Sequence, residues 1–208
     1  MPPEIFAVAN EVGVQGRFVE NALNPVGEVI NLLRLNMSFG DSQWGVTRKP
    51  DDEGKKRGRD ASQDDENERG KLFPDIVLVE NSQHKIRALA EIKTHWAFKP
   101  ATDQTWQNFL SAKLGQLARY MDDHFCRYGF FTTYEYTWFV KRVDDTHFAA
   151  SEPISASTIS TSSAASLREC LLATAIRVAR EDRSYYPVRY GKHLTVRRSR
   201  MTRPSRSP

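Results

Sequence analysis

Residues 73–93 constrain the fold of this chain more than any other stretch. Phe73-Pro74-Asp75-Ile76-Val77-Leu78-Val79-Glu80 and Ile86-Arg87-Ala88-Leu89-Ala90-Glu91-Ile92-Lys93 are apolar runs of strand length, joined by the five polar residues Asn81 to Lys85. Two such runs with a short polar link predict a β-hairpin. A symmetric loop centres the hairpin on Gln83 and sets Asp75 opposite Glu91, each eight positions from the centre. Side chains opposed on antiparallel strands have Cβ atoms about 5 Å apart, and like charges placed there repel. A cation between them removes the conflict. Lys93 lies two residues beyond Glu91 and therefore on the same strand face. Two carboxylates and an ammonium converging on one spot predict a hard-metal site of the kind that serves phosphodiester chemistry.

The rest of the chain supplies the layers such a hairpin needs. Residues 4–36 carry apolar positions at helical spacing, with Pro25 dividing or kinking the run. A first strand is expected near Leu35 to Trp44. Residues 48–71 then contain no Val, Ile, Leu, Phe, Tyr or Trp and mix clusters of both charges. That composition cannot bury enough surface to offset its ordering entropy and predicts a disordered insertion. After the hairpin, Thr102 or Asp103 caps an expected helix to about His124, with Trp106, Phe109, Leu110, Leu114, Leu117 and Met121 as its buried stripe and Lys113, Gln116 and Tyr120 as a polar one. Tyr128 to Tyr134 and Thr137 to Val143 read as a second hairpin, and Phe148 to Ser151 as an edge strand. A Ser/Thr/Ala-rich connection, Ser151 to Ser163, leads to a last helix at about 164–180. The sum is an α/β fold, a small mixed sheet flanked by helices.

Composition narrows the class. With 208 residues, 39% hydrophobic and 11% aromatic, one domain over about 1–182 has material for a real core. Cys126 and Cys170 are too few for a disulfide framework and match no metal-binding spacing. No signal peptide is visible before the first expected helix, and no apolar run is long enough to span a membrane. An intracellular protein is expected, and Lys55-Lys56-Arg57-Gly58-Arg59 has the look of a nuclear-localisation cluster. The net charge of +4 is unevenly spread: Ser184 to Pro208 hold seven Lys/Arg and no acid. This end, 183–208, reads either as an electrostatic footprint for polyanions or as a solvated disordered tail.

Pro74-Asp75 and Glu91-Ile92-Lys93 together match the signature of the PD-(D/E)XK nuclease superfamily, and the chain resembles that family over the hairpin and its flanks. Gln116-Leu117-Ala118-Arg119-Tyr120 resembles the Gln-x-x-x-Tyr motif of its RecB-type exonuclease branch, and the long charged insertion is similar to uncharacterised fungal nuclease-like families. The resemblance implies a restriction-endonuclease-like α-β-β-β-α-β core and hydrolysis of DNA with Mg2+ (or Mn2+). It implies that Asp75, Glu91 and the Ile92 carbonyl hold the metal, that Lys93 orients or helps deprotonate the attacking water, and that Gln116 and Tyr120 position substrate. It also implies an acid from the first helix, for which Glu20 is chosen over its competitors Glu11 and Glu28.

Blander readings stand beside these. Asp after Pro at a strand start is often a turn residue, and Glu-x-Lys on one face is often a solvated pair. His84 and His95 lack partners at ligand spacing, and Trp96, Phe98 and Trp106 serve a core or rim as readily as they stack on bases. Fold does not fix function, so a binding module with a vestigial acidic cluster, or an enzyme acting on a small molecule, remains the alternative to a nuclease.

Overall fold

The computed structural model describes residues 9–41 and 74–180. The charged stretch 48–71, its basic cluster and the basic end 183–208 lie outside the described residues. Asn10 caps helix α1 (Glu11–Phe18), its side chain accepting from the Gly13 N–H at 2.8 Å. The helix does not break before Pro25. It passes through one π-helical segment, Val19–Leu23, into α2 (Asn24–Leu32), with Pro25 in the first turn of α2. There the missing N–H and fixed φ are tolerated, and a widened turn absorbs the interruption. The Asn21 carbonyl, four residues before Pro25 and denied that N–H, accepts from Arg168 Nε at 2.9 Å and Nη2 at 2.6 Å.

Strands β1 (Met37–Asp41), β2 (Ile76–Glu80), β3 (Lys85–Ile92), β4 (Tyr128–Thr132), β5 (Tyr136–Arg142) and β6 (Phe148–Ala150) lie side by side in that order, and β7 (Ile154–Ser155) also pairs with β5. Every neighbouring pair is antiparallel except β3 and β4. A parallel pair needs a crossover, and α3 (Trp106–Asp123) supplies it. Helix, three strands, helix and strand form the expected α-β-β-β-α-β core, extended by β5 to β7 and α4 (Leu167–Arg180). Ser166 and Glu169 close the start of α4 as a capping box: the Ser166 N–H donates to Glu169 Oε2 at 2.7 Å and the Glu169 N–H to Ser166 Oγ at 3.4 Å.

Both faces of the sheet are covered, which is why β2 and β3 read as continuous apolar runs. Ile76, Leu78, Ala88, Ala90 and Ile92 pack with Val14, Phe18, Ile30, Leu171 and Ala175 of the helices on one face. Val77, Val79, Leu89, Phe131 and Trp138 pack with Phe109, Leu117 and Met121 of α3 on the other. Gly129 marks the closest approach of α3, since a Cβ there would meet the Leu89 carbonyl oxygen at 2.9 Å and Met121 Sδ at 3.0 Å.

The hairpin differs from its expected form in one instructive way. Lys85 is already paired with Glu80, so the loop is Asn81 to His84, shorter than expected. His84 takes the left-handed conformation at φ 51°. A β-bulge restores the register: Val79 faces Ile86, Leu78 faces Ala88, and Arg87 is passed over. Arg87 Nε instead donates to Glu80 Oε2 at 2.7 Å. Beyond the bulge Ile76 faces Ala90, the register a loop centred on Gln83 requires. In α3 the cap is Thr105, whose Oγ1 accepts from the Asn108 N–H at 3.3 Å, rather than Thr102 or Asp103. Trp106, expected in the buried stripe, is 59% exposed, whereas Tyr120, expected on the polar one, is 3% exposed.

Candidate metal centre

The fold converges its acids where β2 begins and β3 ends. Pro74 turns the chain into β2, and the Asp75 N–H joins the ladder by donating to the Ala90 carbonyl at 3.0 Å. Asp75 Oδ2 accepts from the Ile92 N–H at 2.7 Å. Glu91, on the α3 face of β3, is 2% exposed. Its Oε1 accepts from Gln116 Nε2 at 2.7 Å and lies 2.6 Å from Lys93 Nζ. Its Oε2 is buried and, among the described residues, has no hydrogen-bond partner. Lys93 Nζ also donates to Glu11 Oε1 at 2.7 Å, and Lys93 is fixed from behind by its N–H bond to the Thr132 carbonyl at 2.9 Å.

Glu11, Asp75 and Glu91 each offer a carboxylate oxygen, and those atoms all lie within 4.8 Å of one another. Glu11 therefore stands where Glu20 was expected. Glu20 is exposed and lies 3.8 Å from Arg17 on its own helix, and Glu28 is exposed too. Helical geometry separates the three acids. Glu11 sits three and seven residues before Val14 and Phe18, the buried stripe of α1, so it shares their face. Glu28 lies two residues from Val26 and Ile30, about 200° away, and Glu20 lies in the π-helical segment with its side chain toward solvent. Gln15, one turn after Glu11, was missed altogether; its Nε2 donates to the Asp75 carbonyl at 2.9 Å and docks α1 on the hairpin.

Burial, more than any neighbour, lifts the Glu91 carboxyl to about 7, with Asp75 adding repulsion and Lys93 opposing it. Asp75 is raised for the same first reason, although its bond from Ile92 pulls the other way. Burial by itself would lower Lys93, but its bonds to Glu11 and Glu91 together raise it above the usual lysine value. Lys93 is thus a held cation. Gln116 Nε2 also donates to Tyr120 Oη at 2.8 Å, so the pair that the family resemblance assigns to substrate here braces Glu91. Ile92 is fully buried and its N–H is spent on Asp75.

These residues fit a hard divalent cation. All three candidate ligands are carboxylates, the donors that Mg2+ and Mn2+ take, and the bare Glu91 Oε2 is a buried acceptor awaiting a cation. Three ionised carboxylates and one ammonium carry a formal charge of −2, which one divalent cation balances. His84 lies in the hairpin turn, and His95 is half-exposed, 3.8 Å from Glu135; neither joins the cluster.

No family model matches the chain, and no curated protein sequence matches it. Among solved structures it resembles the type IIG restriction endonuclease BpuSI, with 15% identity and a TM-score of 0.39 over 86% of this chain and 18% of that one. The chain thus spans less than a fifth of that enzyme's length. By its own architecture and site, the protein is a mixed α/β domain with a three-carboxylate, one-lysine cluster at the end of its central strands. No helix among the described residues is long and apolar enough to cross a membrane.

Proposed function

We propose that this protein is a metal-dependent nuclease that hydrolyses DNA phosphodiester bonds at Glu11, Asp75, Glu91 and Lys93. The observation that carries the reading is the buried Glu91, whose Oε2 has no partner among the described residues, within a cluster of carboxylates whose like charges are only partly offset by Lys93. Glu11, Asp75 and Glu91 would hold Mg2+ or Mn2+, with the Ile92 carbonyl as a further oxygen. When bound, the ion supplies a polarised phosphoryl oxygen and a coordinated water of lowered pKa. Lys93, kept protonated by Glu11 and Glu91, orients the attacking water and balances charge developing on the phosphate; it is too strongly held as a cation to take the proton. Gln116 and Tyr120 keep the Glu91 carboxylate in one rotamer, so its free oxygen points the same way before and after substrate arrives.

The test is cleavage of plasmid, linear duplex and single-stranded DNA with Mg2+, Mn2+ or EDTA, beside Glu91→Ala and Lys93→Met. Metal-dependent cleavage that falls by roughly 10²–10³ in Lys93→Met and vanishes in Glu91→Ala is expected. Wild type as inert as Glu91→Ala on every substrate would sink the reading, and a binding module or an enzyme on another substrate would take its place.

A further inference from the structure

A pocket of about 270 Å³ is lined by His95, Phe98, Trp106, Thr133, Tyr136 and Trp138, with Glu135 also in its wall. Its floor is a packed aromatic cluster: the Phe98 ring centroid lies 5.2 Å from Phe131, 5.5 Å from Trp138 and 4.8 Å from Phe109. Its rim is different, because Trp106 and Tyr136 are 59% and 46% exposed. The pocket lies along the sheet from the carboxylate cluster, with buried Phe131 between them. Glu91 stands opposite Phe131 across β3 and β4, and Phe131 opposite Trp138 across β4 and β5. Trp138 is therefore two strand spacings, about 10 Å, from Glu91. His95 follows Lys93 by two residues, and Thr133 follows the residue whose carbonyl holds the Lys93 N–H.

We infer that this pocket receives a nucleobase unstacked from a single strand, so that the substrate is single-stranded or frayed DNA; the inference rests on the nuclease reading above. The volume lies below the roughly 300–1,000 Å³ of pockets for drug-sized ligands and suits one planar ring system. Every base has a π-face for Trp106 or Tyr136 to stack on, whatever its identity. Glu135 in the wall repels a phosphate from the pocket, so the base enters while the backbone stays outside. A base inside a duplex must first lose its stacking and pairing at a cost of a few kcal/mol, which disfavours intact duplex.

The inference is tested with the full chain in EDTA, where no cleavage intervenes. Fluorescence anisotropy would compare a labelled oligothymidylate, the same strand with abasic sites, and a duplex of equal length. The base-bearing single strand is expected to bind tightest. Trp106→Ala and Tyr136→Ala are each expected to weaken it by roughly 5- to 150-fold, and Trp106→Phe to retain most of the affinity. Both side chains are largely exposed, and circular dichroism melts establish that the variants fold. Equal affinity for base-bearing and abasic strands, wild-type affinity in both alanine variants, or no binding at all overturns the inference. Base-dependent binding by a chain inert in every cleavage assay would keep the pocket and end the nuclease reading. Cleavage lost in Glu91→Ala but untouched in Trp106→Ala, with duplex and single strands cut alike, would do the reverse.

Discussion

Glu91 Oε1 takes two donors while Oε2 takes none, and the burial of this carboxyl sets how the protein responds to pH. Folded, Glu91 keeps its proton up to about pH 7, against the ordinary 4.5 of an exposed glutamate. Between those values the folded state binds more protons than the unfolded one, so stability falls as pH rises across that window. Asp75 is shifted in the same direction. In EDTA, the protein is expected to melt at a lower temperature at pH 8 than at pH 5.5. Glu91→Gln, which has no proton to lose, should flatten that slope. Thermal melts at the two pH values check both; an unchanged slope in Glu91→Gln would assign the effect elsewhere.

The elements are locked by contacts that strand and helix patterns do not announce. Arg142, at the end of β5, is fully buried; its Nη1 donates to Asp122 Oδ1 near the end of α3 at 2.6 Å, and its Nη2 to the Asp145 carbonyl at 3.1 Å. Removing one partner of a buried pair strands the other, at about 3–5 kcal/mol. Asp122→Ala should therefore lower unfolding free energy by about that amount in urea titrations, far more than a surface aspartate. Gly129 holds a second contact between layers. Gly129→Ala pushes a methyl against the Leu89 carbonyl, and overpacking of this kind costs about 1–3 kcal/mol. The same titration reads it, and a neutral result would mean that α3 shifts outward freely.

At the scale of the whole molecule, the candidate metal cluster draws on two bodies of structure: the N-terminal helix through Glu11 and the central hairpin through Asp75 and Glu91. A cation held between them ties α1 to the sheet. A ligand that binds only the folded state stabilises it by about 2.7 kcal/mol at 100 times its Kd. Mg2+ is expected to raise the melting temperature and to slow amide exchange in α1 and in the end of β3. In Glu11→Gln the gain in α1 should disappear while part of that in β3 remains, and in Asp75→Asn both should be lost. Hydrogen-exchange mass spectrometry with and without Mg2+ decides, and uniform protection in all three proteins would show that α1 is held independently of the cluster.

The hairpin, its register at Ile76 and Ala90, and the α-β-β-β-α-β order could be read from the sequence, because strand alternation and apolar run length are local properties of the chain. The expected loop was one residue too long, yet the bulge at Arg87 returned Ile76 and Ala90 to the pairing that a loop centred on Gln83 requires. Trp106 and Tyr120 exchanged their expected exposures, since what packs on α3, and not its own periodicity, decides which of two neighbouring stripes is covered. The choice among Glu11, Glu20 and Glu28 depended on where α1 docks, which Gln15 fixes through a backbone carbonyl sixty residues away. The sequence by itself determined which groups were available and on which strands they lie. Only the tertiary structure decided which of them meet, because burial and charge–charge contact depend on distances through space that no local spacing encodes.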